Sequence, residues 1–131
     1  MSLVIKNNAL SPQCVNSYVQ IASLAIYETL KKHQIQGLRI KWPNDVLVED
    51  AKIAGILCEG IFEQNKMSAL IIGTGLNVNM TYGDLKNLGR PATSLLLETS
   101  IPWNRQSLKD EILEQFEKFY DLYHHNAKEI S

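Results

Sequence analysis

The stretch from Leu38 to Ile72 constrains the fold more than any other part of the chain. Leu38, Ile40 and Trp42 alternate with Arg39 and Lys41, which predicts a strand with one apolar and one basic face. Pro43 stops or kinks that strand, because it brings no N–H to a ladder. Val46 to Val48 resumes extended structure, and Glu49-Asp50-Ala51 reads as a hairpin turn. Ile53 to Phe62 predicts a long strand, with Gly55 and Gly60 as sites of bulges or close backbone approach. Gln64-Asn65-Lys66 turns the chain once more. Met67 to Ile72 then runs back, apolar enough for a central strand. Connections this short join antiparallel neighbours, so this half predicts a β-meander.

Helical signals flank the meander. Leu3-Val4-Ile5, within Ser2 to Lys6, predicts a first strand closed by Asn7-Asn8. Ser11-Pro12 then opens a helix, Ser as cap and Pro at the first helical position. Val15, Tyr18, Val19, Ala22, Ala25, Ile26 and Leu30 recur at helical spacing and mark its buried face. Lys31, Lys32 and His33 suit the negative end of its dipole. Tyr82 to Leu88 and Thr93 to Glu98 predict two short helical pieces, the first ended by Gly89 and Pro91. A last helix begins near Asn104 or Ser107, where Ser107 and Asp110 resemble a capping box. Leu108, Ile112, Phe116, Phe119, Tyr120 and Tyr123 form its stripe. Strand runs followed by helices, without clean βαβ units, predict an α+β fold.

At 131 residues the chain has room for one compact domain. Apolar residues at 45% and charged residues at 21% argue against disorder. The formal net charge of −1 argues against a nucleic-acid or membrane-surface binder, because phosphate neutralisation needs an excess of Lys and Arg. No apolar run is long enough to cross a membrane, and the first residues do not read as a signal peptide. Cys14 and Cys58 lie in no CxxC pair and predict two small, buried, reduced thiols in a cytoplasmic protein.

Three stretches resist a purely structural account. Lys41-Trp42-Pro43-Asn44-Asp45 crowds a cation, an aromatic ring and short polar side chains at a strand break, although Asn and Asp are also ordinary turn formers. Lys52 opens an apolar strand three residues before Gly55, where a solvated strand end is the plain alternative. Gly73-Thr74-Gly75-Leu76-Asn77-Val78-Asn79 follows a predicted central strand, and its glycines let backbone N–H groups approach an anion. A dinucleotide fingerprint is a poor reading of it, since the third glycine and the following helix are missing.

In this order and spacing, Lys41 to Asp45, Lys52-Ile53-Ala54-Gly55-Ile56-Leu57-Cys58-Glu59 and Gly73 to Asn79 resemble the catalytic domain of biotin protein ligases, which load biotin onto carboxylase carrier domains. Pro91-Ala92-Thr93-Ser94-Leu95 followed by Glu98-Thr99 is similar as well. The likeness runs from Ser2 to about Tyr123. It implies a fold like the class II aminoacyl-tRNA synthetase core, a mixed and largely antiparallel sheet with helices on one side. It implies activation of biotin by ATP to biotinyl-5′-AMP, then transfer to a carrier-domain lysine, with Mg²⁺ as the metal.

The same resemblance implies roles for single residues. Lys52 lies over the biotin carboxylate and α-phosphate and offsets charge in the transition state. Asn44, Asp45 and Asn77 stand near phosphates, Asp45 and Asn77 as Mg²⁺ ligands directly or through water. Asp45 also orients the incoming lysine. Gly55, Gly73 and Gly75 allow close backbone approach to the ligand. Trp42 packs a wall on the adenine side, and Lys41 meets phosphate or acidic groups of the carrier, unless it is a solvated strand residue.

The family also has a Gly/Arg-rich biotin loop ahead of the first strand, which residues 1–11 do not contain, and many members carry a C-terminal β-barrel. The expectation is therefore a single, partial catalytic domain over 1–131, impaired in adenylation and prone to self-association at its sheet edge. The alternatives are a lipoate-type ligase of the same fold and a non-catalytic interaction module.

Overall fold

A computed structural model describes the backbone of residues 1–6 and 10–130, with side chains described as far as residue 124. The turn expected at Asn7-Asn8 lies outside these. The chain runs through β1 (Ser2–Ile5), α1 (Val15–Lys32), β2 (Leu38–Lys41), β3 (Asp45–Val48), β4 (Ala51–Glu63), β5 (Lys66–Leu76), α2 (Tyr82–Leu85), α3 (Leu95–Thr99) and α4 (Arg105–Ile130). The strands form one five-stranded sheet in the order β1-β5-β4-β3-β2. Every pairing between these strands is antiparallel. Among the described residues, the parallel component is a single bridge between Lys52 and Ala92. This is the expected α+β architecture.

Turn chemistry sets the meander. Glu49 at φ 54° turns β3 into β4, and Gln64 and Asn65 at φ 51° and 65° turn β4 into β5. Asn tolerates this left-handed region, because its short polar side chain can bond locally. The bulges do not fall at Gly55 and Gly60. The register slips at Ile53, which has no partner between the pairs Val46–Ala54 and Leu47–Lys52. It slips again at Ser68, between Ile61–Ala69 and Phe62–Met67.

One face of the sheet carries the core. Ile5, Val46, Val48, Ile56, Leu70 and Ile72 meet Val19, Ala22, Ile26 and Leu30 of α1 there, and Leu108, Ile112 and Phe116 of α4 join the same core. Complete burial of a side chain such as Ile26 or Ile72 contributes about 2 kcal/mol as an upper estimate. Buried hydroxyls do not interrupt this packing, since Ser23 donates to the Val19 carbonyl and Thr29 to that of Ala25 within the helix. Farther along, Tyr18 stacks on Tyr120 and places its hydroxyl 3.2 Å from Nε2 of His124, tying α1 to α4.

Several local expectations differ in detail. Ser11 makes no side-chain cap; a 3₁₀ turn over Pro12–Cys14 leads into α1 instead. Ile40 and Trp42 are exposed, because β2 is an edge strand that α1 covers only in part. The first short helix stops at Leu85 and is capped by Thr81 and Asp84. The second begins at Leu95, with Ser94 as its cap. Asn104 caps α4, its Oδ1 accepting from the Ser107 N–H at 2.9 Å, so Ser107 lies within the first turn rather than before it. Cys14 and Cys58 are half-buried, form no disulfide and pack against the core, with Cys14 Sγ 3.4 Å from Oγ of Ser11. No helix among the described residues is long and apolar enough to cross a membrane.

Candidate functional site

The opposite face of the sheet carries the site. Asp45 pairs with Gly55, Gly55 with Gly75, and Leu57 with Gly73, so these residues share one face by strand alternation. Lys52 would not join them in a regular strand, because three residues separate it from Gly55. The bulge at Ile53 adds the missing step. Leu47 lies opposite Lys52 and Asp45 opposite Gly55, which turns the lysine to the same face.

Gly55 then makes room for it. A Cβ at this position would stand 2.9 Å from Cε and Nζ of Lys52 and 3.5 Å from Oδ1 of Asp45. The lysine stem crosses the glycine and its ammonium reaches Oδ1 of Asp45 at 3.2 Å. With side chains only 24% and 19% exposed, the two ions are largely withdrawn from water, which makes this pair stronger than an ordinary surface pair. Lys52 is therefore not a solvated strand end. Its backbone is also held, donating N–H to the Pro91 carbonyl at 3.1 Å and accepting from the Thr93 N–H at 2.9 Å.

The glycines of β5 form a bare floor. A Cβ at Gly75 would meet nothing within 4 Å, and one at Gly73 would meet only the Leu57 carbonyl, at 3.4 Å. Because β5 continues to Leu76, both glycines lie within a strand and not in a loop that wraps an anion. They leave an open cleft of about 580 Å³ above the sheet. Asn44, Asp45, Lys52, Gly55, Gly73, Gly75 and Asn77 all line it. Asn44 donates from Nδ2 to the Ile56 carbonyl, and Asn77 from Nδ2 to that of Thr93. Both amides are thus fixed by their nitrogens, with Oδ1 left as the acceptor end.

Lys41 and Trp42 do not line the cleft. Lys41 pairs with Asp45 in register but is exposed at the edge strand. Trp42 is 61% exposed, because the turn after β2 carries it beyond any covering element. The sequence reading missed Arg90 and Leu88, which line the cleft from the segment before Pro91. Their only local signal is a loop, since nothing in Leu88-Gly89-Arg90 says which face of the sheet it meets.

Comparison with known proteins agrees with this geometry. Residues 1–77 match the model of the Biotin/lipoate A/B protein ligase family. The Bifunctional ligase/repressor BirA of Bacillus subtilis is 32% identical over 124 residues, covering 94% of this chain and 38% of that protein. Biotin--protein ligase 1, chloroplastic, of Arabidopsis thaliana is 35% identical over 115 residues, covering 79% of this chain and 29% of that protein. The chain thus spans about a third of the length of these relatives. The structure of the biotin protein ligase from Aquifex aeolicus in complex with biotin and ATP shares the fold, with a TM-score of 0.75 at 24% identity over 90% of this chain and 47% of that one. Family match, fold and the order of the motifs along the cleft agree: the chain belongs to the biotin/lipoate protein ligase family.

Proposed function

We propose that this chain activates biotin with ATP and transfers it to a lysine on the biotin carboxyl-carrier domain of a carboxylase, acting in the cytoplasm as part of a catalytic domain. The observation that carries this reading is the Lys52–Asp45 pair laid across Gly55 at the edge of an open glycine floor. In the first step a biotin carboxylate oxygen attacks the α-phosphorus of ATP. A bond to that phosphorus forms, the bond to the bridging oxygen breaks, and pyrophosphate leaves with the electron pair. The Lys52 ammonium offsets charge on the phosphoryl oxygens, acting from a position fixed before substrate arrives. In the second step the neutral amine of the carrier lysine attacks the mixed anhydride. AMP departs, and the proton from the attacking nitrogen passes to solvent. Asp45 is the carboxylate suited to receive and orient that cationic side chain before attack.

The donor set bears on the metal. Among the described residues no group of three His, Cys, Asp or Glu side chains gathers to hold an ion. Asp45 is already compensated by Lys52, and Asn77 offers one amide oxygen. The Asn77 amide oxygen and the Asp45 carboxylate are the oxygen ligands that would hold a Mg²⁺ brought with the nucleotide. When bound, the ion supplies charge neutralisation on the polyphosphate.

The family model covers lipoate as well as biotin ligases, which keeps lipoate as the second reading. Exchange of labelled pyrophosphate into ATP, run with biotin, with lipoate and with neither, separates them. Biotin-dependent exchange followed by labelling of a carrier domain is the expected result. Exchange with lipoate alone overturns the choice of acid. Binding of nucleotide without exchange leaves a non-catalytic module. Self-association through the β1 edge belongs to the same proposal, and sedimentation as a clean monomer at tens of micromolar, on the order of usual assay concentrations, removes it.

A further inference from the structure

We infer that Arg90 forms an anion subsite at the mouth of the cleft, one that binds the pyrophosphate moiety of the nucleotide. The inference rests on the nucleotide-activating reading above and extends it to a residue outside the motifs that carry it. Charge is the first argument. The charged side chains lining the cleft are Asp45, Lys52 and Arg90. Asp45 and Lys52 compensate each other at 3.2 Å, and a closed ion pair contributes little net field at the distance of a second phosphate. Arg90 makes no ion pair or side-chain hydrogen bond among the described residues. Among the described side chains that line the cleft, the positive charge left uncompensated is therefore on Arg90; the Met1 ammonium, also in the lining, is engaged in part by the Thr74 carbonyl, to which it donates at 3.1 Å.

Position is the second argument. Gly89 takes a left-handed φ of 75° and Pro91 follows, so Arg90 stands between a conformationally special glycine and a ring-locked residue. The Pro91 carbonyl holds the Lys52 N–H, which places Arg90 one residue from the anchor of the lysine at the reacting phosphate. Lys52 lies low in the cleft over Gly55, whereas Arg90 is exposed at the rim. A leaving pyrophosphate departs toward solvent and so moves to the rim. The planar guanidinium presents a fixed fork of N–H donors that matches two of its oxygens, whereas an ammonium is a point charge without that geometry.

The test is calorimetric titration, in Mg²⁺, of inorganic pyrophosphate, ATP and a sulfamoyl analogue of biotinyl-5′-AMP that lacks the leaving group. It is run on the wild type, Arg90→Ala, Arg90→Lys and Lys86→Ala. Lys86 is an exposed cation of the same loop region that does not line the cleft. Arg90→Ala is expected to weaken pyrophosphate and ATP by about tenfold or more, the loss of a charged hydrogen-bonding partner. Arg90→Lys should fall between it and the wild type. Lys86→Ala, and the analogue on every variant, should stay within about twofold. Unchanged pyrophosphate affinity in Arg90→Ala overturns the inference, as does an equal loss in Lys86→Ala or an equal loss for the analogue. A wild type that binds the analogue but not pyrophosphate sinks the Arg90 subsite and leaves the biotin reading standing. Arg90-dependent pyrophosphate binding without analogue binding does the reverse, and binding of neither removes both.

Discussion

A Cβ on residue 55 would stand 2.9 Å from both Cε and Nζ of Lys52, so the lysine occupies the space that Gly55 leaves vacant. This makes the glycine part of the site without any chemistry of its own. Gly55→Ala should displace a flexible side-chain end and not the backbone. The expected change in unfolding free energy is below about 1 kcal/mol, while adenylation falls about tenfold or more as the Lys52–Asp45 pair is pushed apart. Thermal unfolding and single-turnover adenylation check the two parts. Loss of both in proportion would show that Gly55 serves packing alone.

Lys52 itself should separate charge from shape. Lys52→Ala is expected to lower adenylation by roughly 2–4 kcal/mol of transition-state stabilisation. Lys52→Arg keeps the charge but not the fit over Gly55, and should recover little. Asp45→Asn should cost about 1–2 kcal/mol of stability, because it leaves a half-buried ammonium without its anion. Equal adenylation rates in wild type and both lysine variants would remove Lys52 from the mechanism.

The cap of α4 distinguishes two neighbouring residues. Asn104→Ala should destabilise the fold by about 1 kcal/mol, as its Oδ1 satisfies the Ser107 N–H. Ser107→Ala should be near neutral, within about 0.5 kcal/mol, since Ser107 is already helical. Denaturant midpoints on both variants check this, and a larger cost at Ser107 would restore the capping box to that residue.

Burial pushes the Cys58 thiol above its ordinary value of 9.0. The folded chain therefore keeps this proton where the unfolded chain has begun to lose it. The contribution is fully present below pH 9.0 and is lost as pH rises through and beyond it. Unfolding free energy should fall faster with alkaline pH in the wild type than in Cys58→Ala. Alkylation of native Cys58 at pH 8 should also be slower than that of an unfolded control. Native alkylation as fast as the control would contradict the burial.

The sequence by itself determined the elements and their order. Period-two runs, short turns and two long apolar stripes are local signals, and the meander and helices they predict are present because neighbours along the chain create them. It also picked out residues that the cleft brings together, since Asn44, Asp45, Lys52, Gly55, Gly73, Gly75 and Asn77 all line it. The tertiary structure decided what depends on register and on distant neighbours. A bulge at Ile53, not legible in a strand of ordinary β-formers, turned Lys52 to the face of Asp45. The edge position of β2 left Ile40 and Trp42 in solvent, although their alternation with Arg39 and Lys41 predicted an apolar face. Arg90 reached the cleft only because the Pro91–Thr93 backbone pairs with Lys52, a contact across about forty residues that no local pattern encodes.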